Sequence, residues 1–183
     1  MVWVRSEYAG ELAVVSAWLA ALIPWNLTYA SIPGYGTILY LRYPFLEVQY
    51  LVGWTIDDRS FFLHSIPAAL RNQAGQVVAD AYLAWAAGST LIAVAVLTAI
   101  AYYLAEERVE NGPVDPVRLI GGLLLAAGIV LLAATYLLVT LGVPGIPLPV
   151  GTLLLGALGA ILLLADRRED AVDETEYRAD HAE

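Results

Sequence analysis

The chain has 183 residues, 60% of them hydrophobic and 15% charged, with a mean hydropathy of +0.68, whereas soluble domains carry about a quarter charged residues. Its net charge of −9, from nine basic residues against 18 acids, leaves no basic stripe to neutralise phosphates and excludes a nucleic-acid partner. Cysteine is absent, which excludes disulfides, thiolate metal sites and cysteine nucleophiles.

All nine basic residues are arginine. An acidic, lysine-free balance suits a high-salt cytosol, where dense ions screen self-repulsion, and points to a halophilic archaeon; a GC-rich genome favouring arginine codons is the alternative. The excess apolar residues are gathered in long runs, the mark of a membrane protein.

The first run, Leu12 to Ala30, is flanked by Trp3 and Tyr8 before it and Trp25 and Tyr29 near its end. These aromatics lie ~33 Å apart as helix, which suits the two bilayer interfaces and predicts a first span over 9–30. Pro24 kinks or ends that helix. A signal peptide cleaved after Ala30 is the rival, weakened by Glu7 and Glu11 beside a lone Arg5.

Residues 31–76 differ in kind and are expected to form an extracellular loop module. Pro33-Gly34-Tyr35-Gly36 is turn material. From Leu46 to Trp54 the pattern alternates, with Leu46, Val48, Tyr50, Val52 and Trp54 on one face and Glu47 and Gln49 on the other, the period of a strand. Thr37 to Tyr43 is its expected partner, and Ser65-Ile66-Pro67 starts a helix running to about Gln73. An apolar face on a hairpin needs a cover. Tyr43, Phe45, Glu47, Gln49, Tyr50 and Trp54 are therefore the candidate surface, for lipid or for a protein partner.

The second span is predicted over 77–105, with nothing charged from Ala81 to Ala105, and Asn111-Gly112-Pro113 stops it. Asp115 followed by Pro116 is an N-cap with proline at the first helical position. The third span, 117–141, holds the uncharged run Leu119 to Leu141, ~30 Å or slightly more as helix, and forms an antiparallel hairpin with the second. The proline-rich turn 142–149 leads to a fourth span over 147–165, a full crossing or a re-entrant helix. Thr152, Gly156 and Ala160, Gly122 and Ala126, and Ala84 and Gly88 recur at four-residue spacing, a pattern that lets helices approach closely. The tail, 166–183, carries eight acids and three arginines and is expected to be a disordered cytoplasmic segment.

The sequence thus predicts an all-α membrane protein, a four-transmembrane-helix bundle with a small β-containing first extracellular loop. The arginine bias places both termini in the cytoplasm of a multi-pass cell-membrane protein. The motif search finds no phosphate loop, no Gly-x-Ser-x-Gly elbow and no His-Glu-x-x-His helix. His64 and His181 are the only histidines, too few for a multi-histidine cage, although Asp57, Asp58 and His64 lie near enough in sequence to be weighed as a metal group. No catalytic, cofactor or metal residues are expected.

The segments VWVRSEYAGEL, EERVE with PVDPVR, and PGIPLPVG together resemble uncharacterised haloarchaeal multi-pass membrane proteins of unknown function. That resemblance implies a source and a membrane setting and supplies no catalytic residues. Four spans with a β-rich first outer loop also resemble the claudin layout, without the two cysteines and the Gly-Leu-Trp signature of that loop. The expected role is a non-catalytic structural or accessory protein, in the bilayer, that binds a membrane-protein partner or a second copy through its outer loop. A subunit of a small-molecule transporter or channel is the alternative.

Overall fold

A computed structural model describes residues 2–105 and 114–168, with side chains over 8–105 and 114–165. The elements in chain order are β1 (Val2–Arg5), α1 (Ser6–Leu22), β2 (Asn26–Ile32), β3 (Gly36–Arg42), β4 (Leu46–Val52), β5 (Phe61–Ser65), α2 (Ile66–Gln73), α3 (Ala79–Leu104), α4 (Pro116–Thr140), β6 (Ile146–Leu148), α5 (Val150–Leu164) and β7 (Ala165–Arg168).

This is a mixed α/β protein, and the four-transmembrane-helix bundle expected from run length is overturned. Its largest β-element is a five-stranded antiparallel sheet in the order β5-β4-β3-β2-β6. Only α3 and α4, of 26 and 25 residues, are long and apolar enough to cross a membrane among the described residues. The expected first span, 9–30, divides at Pro24: α1 stops after 17 residues, and Asn26–Ile32 pairs with β3 as a strand. The expected fourth span, 147–165, loses its beginning to β6, leaving α5 with 15 residues. An apolar run by itself does not distinguish a buried strand from a helix, and here tertiary pairing decided.

The strand and partner expected over 46–54 and 37–43 appear as β4 and β3, and the helix expected near 65–73 is α2. Their sheet is no small loop module, because β2 and β6 join it from outside residues 31–76. Pro147 sits in edge strand β6, where the missing N–H costs no interior ladder bond. Gly145, at φ +100°, lets the chain pass so close to the Tyr29 carbonyl that a Cβ would collide with it. At the other extremity β1 and β7 pair in parallel, Val2 opposite Ala165 and Arg5 opposite Arg168. The acidic tail expected over 166–183 begins within β7, and 169–183 lies outside the described residues.

The helices share one core, in which Ala13, Ala17, Trp85, Ile92, Ile120, Leu124, Leu131 and Leu162 are buried. Trp25 after α1, Tyr82 and Trp85 in the first turns of α3, Thr135 near the end of α4 and Thr152 at the start of α5 all reach the sheet or the strand that opens it. The helices therefore alternate in direction, and the sheet sits over one end of them. The N-cap read from Asp115-Pro116 is in place, with Asp115 Oδ1 accepting from the Val117 amide at 2.9 Å. Asp115→Ala is expected to lower stability by about 1 kcal/mol in thermal unfolding, the usual worth of such a cap; an unchanged melting point would show that α4 starts correctly without it.

Strand alternation gives the sheet two unlike faces. Toward the helices, one row runs Asn26, Arg42, Glu47, His64 across β2 to β5, and the next runs Thr28, Tyr40, Gln49, Phe62. Beyond these, Ala30, Ile38 and Leu51 form a small separate core. The outward face carries Leu27, Leu41, Val48 and Leu63 in one row and Tyr29, Leu39, Tyr50 and Phe61 in the next.

Candidate functional site

The inward row holds the most polar group of buried side chains among the described residues. Arg42 closes β3 and Glu47 follows the start of β4; the four-residue connection Tyr43 to Leu46 folds the two strands so that these residues stand directly opposite. Arg42 Nε donates to Glu47 Oε2 at 2.8 Å, and both side chains are only 2% exposed.

Charges removed from water at such depth must be compensated by hydrogen bonds, and here they are. Arg42 Nη1 donates to Thr28 Oγ1 at 2.7 Å and to Asn26 Oδ1 at 3.1 Å. The Tyr82 hydroxyl donates to Glu47 Oε2 at 2.9 Å, and Gln49 Nε2 donates to Glu47 Oε1 at 2.6 Å. The Tyr40 ring lies 4.9 Å from the guanidinium carbon, within cation–π range. Burial alone would lower the Arg42 pKa, but Tyr82 and the Glu47 carboxylate outweigh it and hold the guanidinium above its ordinary value. Burial pushes the Tyr40 phenol up, Glu47 adds to this and Arg42 opposes it. The guanidinium and the carboxylate thus meet inside a closed set of hydrogen bonds.

Beside this network lies a cleft of about 530 Å³ between the inner face of the sheet, α2, the start of α3 and the turn after α4, within the size range of small-ligand sites. Its walls combine the rings of Tyr40, Phe62, His64 and Tyr82 with the amides of Gln49, Asn72, Gln73 and Gln76. The Phe62 and His64 rings stand nearly parallel, 7° apart. His64 Nδ1 is buried and has no hydrogen-bond partner among the described residues. The lining thus offers amide donors and acceptors, flat rings and one unengaged imidazole nitrogen, with no unpaired charge.

The candidate surface residues separate. Glu47 and Gln49 face inward and belong to the network. Tyr50 is exposed on the outer face and meets Phe61 edge-on. Trp54 packs on the small core of Ala30, Ile38 and Leu51 and against Tyr35. Phe45 is exposed in the β3–β4 turn, and the carbonyl of Tyr43 accepts from Trp85 Nε1 at 3.1 Å. Asp57 and Asp58 occupy a tight turn, both at positive φ, closed by the bridge from Ile56 to Arg59. Among the described residues no three potential metal ligands gather.

The small residues also separate by position. A Cβ on Gly88 would come 2.7 Å from Leu131 Cγ, so α3 meets α4 there, with Ala84 half-buried one turn earlier. In α4 the close approaches run through Gly121 and Gly128, while Gly122 and Ala126 lie half-buried beside them and a Cβ on Gly122 would meet nothing within 4 Å. In α5, Thr152 is buried with its hydroxyl on the Trp25 carbonyl at 3.1 Å, and Gly151 and Gly159 touch neighbouring backbone. Gly156 presents its backbone to Gly128 but has open space at its own Cβ, and Ala160 is half-buried.

Arg42, Tyr82 and His64 were not singled out by sequence reading as members of one site. The usable signal was Arg42 and Glu47 bracketing a short Tyr-Pro-Phe-Leu connection, since a four-residue hairpin loop places its flanking residues across from each other.

Fold and site together define a class: a mixed α/β protein with two long apolar helices, whose sheet covers a neutralised ion pair beside a polar, ring-lined cleft. Within that class the chain belongs to a family of unknown function, DUF7549, whose model matches residues 2–167. No curated protein matches the chain.

Proposed function

We propose that this is a membrane-anchored, non-catalytic binding protein, held in the bilayer by α3 and α4, whose cleft takes a neutral polar group of a membrane partner. The cleft carries the reading. Its hydrogen-bonding amides and rings suit a neutral polar group, while the charged groups beside it are occupied with one another and are poorly placed to act as acid, base or electrophile.

The membrane setting is supported by the outer surfaces of the two long helices. Only 33% and 39% of their most apolar stretches are buried, whereas the core helix of a soluble domain is mostly buried. Leu83, Leu97, Ile129 and Val139 are more than half exposed, a surface suited to lipid. The polar sheet end would lie on one side of the bilayer and the α3–α4 connection on the other. The lysine-free acidic composition supports a source among halophilic archaea.

The test is a photoreactive residue in place of Asn72 at the cleft, activated in native membranes. A discrete adduct is expected, and it should vanish when Gln73→Trp fills the cleft while thermal stability is retained. An adduct that survives filling, or none at all, would remove the cleft as the binding site.

A further inference from the structure

The sheet is inside out by the usual standard. An antiparallel sheet with one solvated face ordinarily turns its apolar side chains to the core and its polar ones to water. Here Arg42, Glu47 and Gln49 face inward, and the uncovered face carries no charged residue in its two main rows. A contiguous apolar patch of this kind, with Tyr29, Tyr50, Phe61 and Leu63 exposed and Leu27, Leu39, Leu41 and Val48 half-buried between them, marks an interaction surface.

We infer that the outer face of the sheet rests in the interface of the same bilayer that α3 and α4 cross; this rests on the membrane setting proposed above. The occupant follows from a gradient along the strands. Nearest the helices, the row from edge to edge is Leu148, Leu27, Leu41, Val48 and Leu63, all aliphatic. One step further out come Ile146, Tyr29, Leu39, Tyr50 and Phe61, a row that brings in three aromatic rings. The third row is Ser31, Thr37 and Val52, where hydroxyls appear.

Aliphatic, then aromatic, then hydroxyl is the order met on leaving a membrane's hydrocarbon through its aromatic belt into water. Two steps of two residues span about 13–14 Å, enough to traverse a headgroup layer of about 5–8 Å. The absence of charge on the two lower rows complements acyl chains and glycerol esters. A water-soluble partner would impose no such order along the strands. The surface also continues downward without a break in character: Leu148 leads through Pro149 to Val150, Leu153 and Leu154, all exposed on α5. The sheet thus adds a shallow, side-on contact that fixes its tilt, and with it the cleft, relative to the membrane.

The chain has no native cysteine, so single-site labelling is direct. Val48→Cys, Tyr50→Cys, Val52→Cys and Ile129→Cys, each in the full chain, would carry an environment-sensitive fluorophore. The proteins would be reconstituted in vesicles of phosphatidylcholine with a minor share of phosphatidylglycerol. Lipids spin-labelled in the acyl chain should quench most emission from positions 48 and 129, and headgroup-labelled lipid should quench position 50. Aqueous iodide should quench position 52 most. If position 129 is lipid-quenched while 48 and 50 respond to iodide like 52, the sheet face lies in water and the inference is overturned with the membrane setting intact. If position 129 itself escapes lipid quenching, the membrane setting fails and takes the inference with it. Labels at 48 and 50 shielded from both quenchers, with cross-links between copies, would show a second copy covering the face and equally overturn lipid contact. Tyr50 is already exposed, so its label keeps the test decisive should the Val48 variant fold poorly.

Discussion

Replacing Glu47 with alanine is expected to destabilise the protein by about 3–5 kcal/mol, the cost of leaving a buried charge without its partner. Arg42 would keep its bonds to Thr28 and Asn26 but lose its counter-charge at 2% exposure. Tyr82 and Gln49 would each lose an acceptor. The loss is read as a fall in unfolding free energy in detergent. Arg42→Met combined with Glu47→Leu should recover the part due to the uncompensated charge, because well-packed apolar residues often replace a buried pair at no net cost, but not the part due to the acceptors lost by Tyr82 and Gln49. A loss under about 1 kcal/mol for Glu47→Ala, the size of a surface pair, would mean that water reaches the pair.

Alanine at Gly159 and alanine at Gly156 are expected to act with opposite signs, although both lie in α5 three residues apart. A Cβ at 159 would stand 2.6 Å from the Leu125 amide nitrogen and 2.8 Å from the Gly121 carbonyl oxygen, both backbone that cannot swing aside. Helix α4 must shift, and overpacking of this kind costs about 1–3 kcal/mol. A Cβ at 156 meets nothing within 4 Å, so the gain in helix propensity, about 0.5–1 kcal/mol, should show instead. Melting temperatures of the two variants decide the matter. Equal effects would place the α4–α5 contact elsewhere on the helix.

Much of the local structure was legible in the residues. The alternation from Leu46 to Trp54 marks a strand because side chains alternate across a pleat, and Asp115-Pro116 marks a helix start because Asp115 accepts from a free amide and Pro116 has none to leave free. What the alternation lacks is a sign. It divides Leu46, Val48 and Tyr50 from Glu47 and Gln49 but says nothing of which set faces the helices. The assumption that water lies outside gave the wrong side for Glu47. The number of crossings failed for a related reason. Hydropathy registers Leu27, Ala30 and Ile32 as apolar, and only the pairing with Leu41, Ile38 and Gly36 makes them a strand. The cleft was out of reach, since its walls come from β3, β4, β5, α2, α3 and the turn after α4. No window along the sequence contains them together.

The pairing of β1 with β7 has a consequence for how the chain is made. Its two partners come from the beginning and the end of the matched region, and β6 likewise reaches back to β2 across α3 and α4. During synthesis the early strands β2 to β5 can pair as they emerge, but the sheet keeps an open flank on β2 until β6 arrives. An unpaired, apolar-sided flank is a template for wrong partners. The nascent chain therefore passes through a vulnerable interval whose length is set by the time needed to translate and pack the α3–α4 hairpin. Slow codons in that hairpin would raise the yield of misassembled protein without altering one contact of the finished fold.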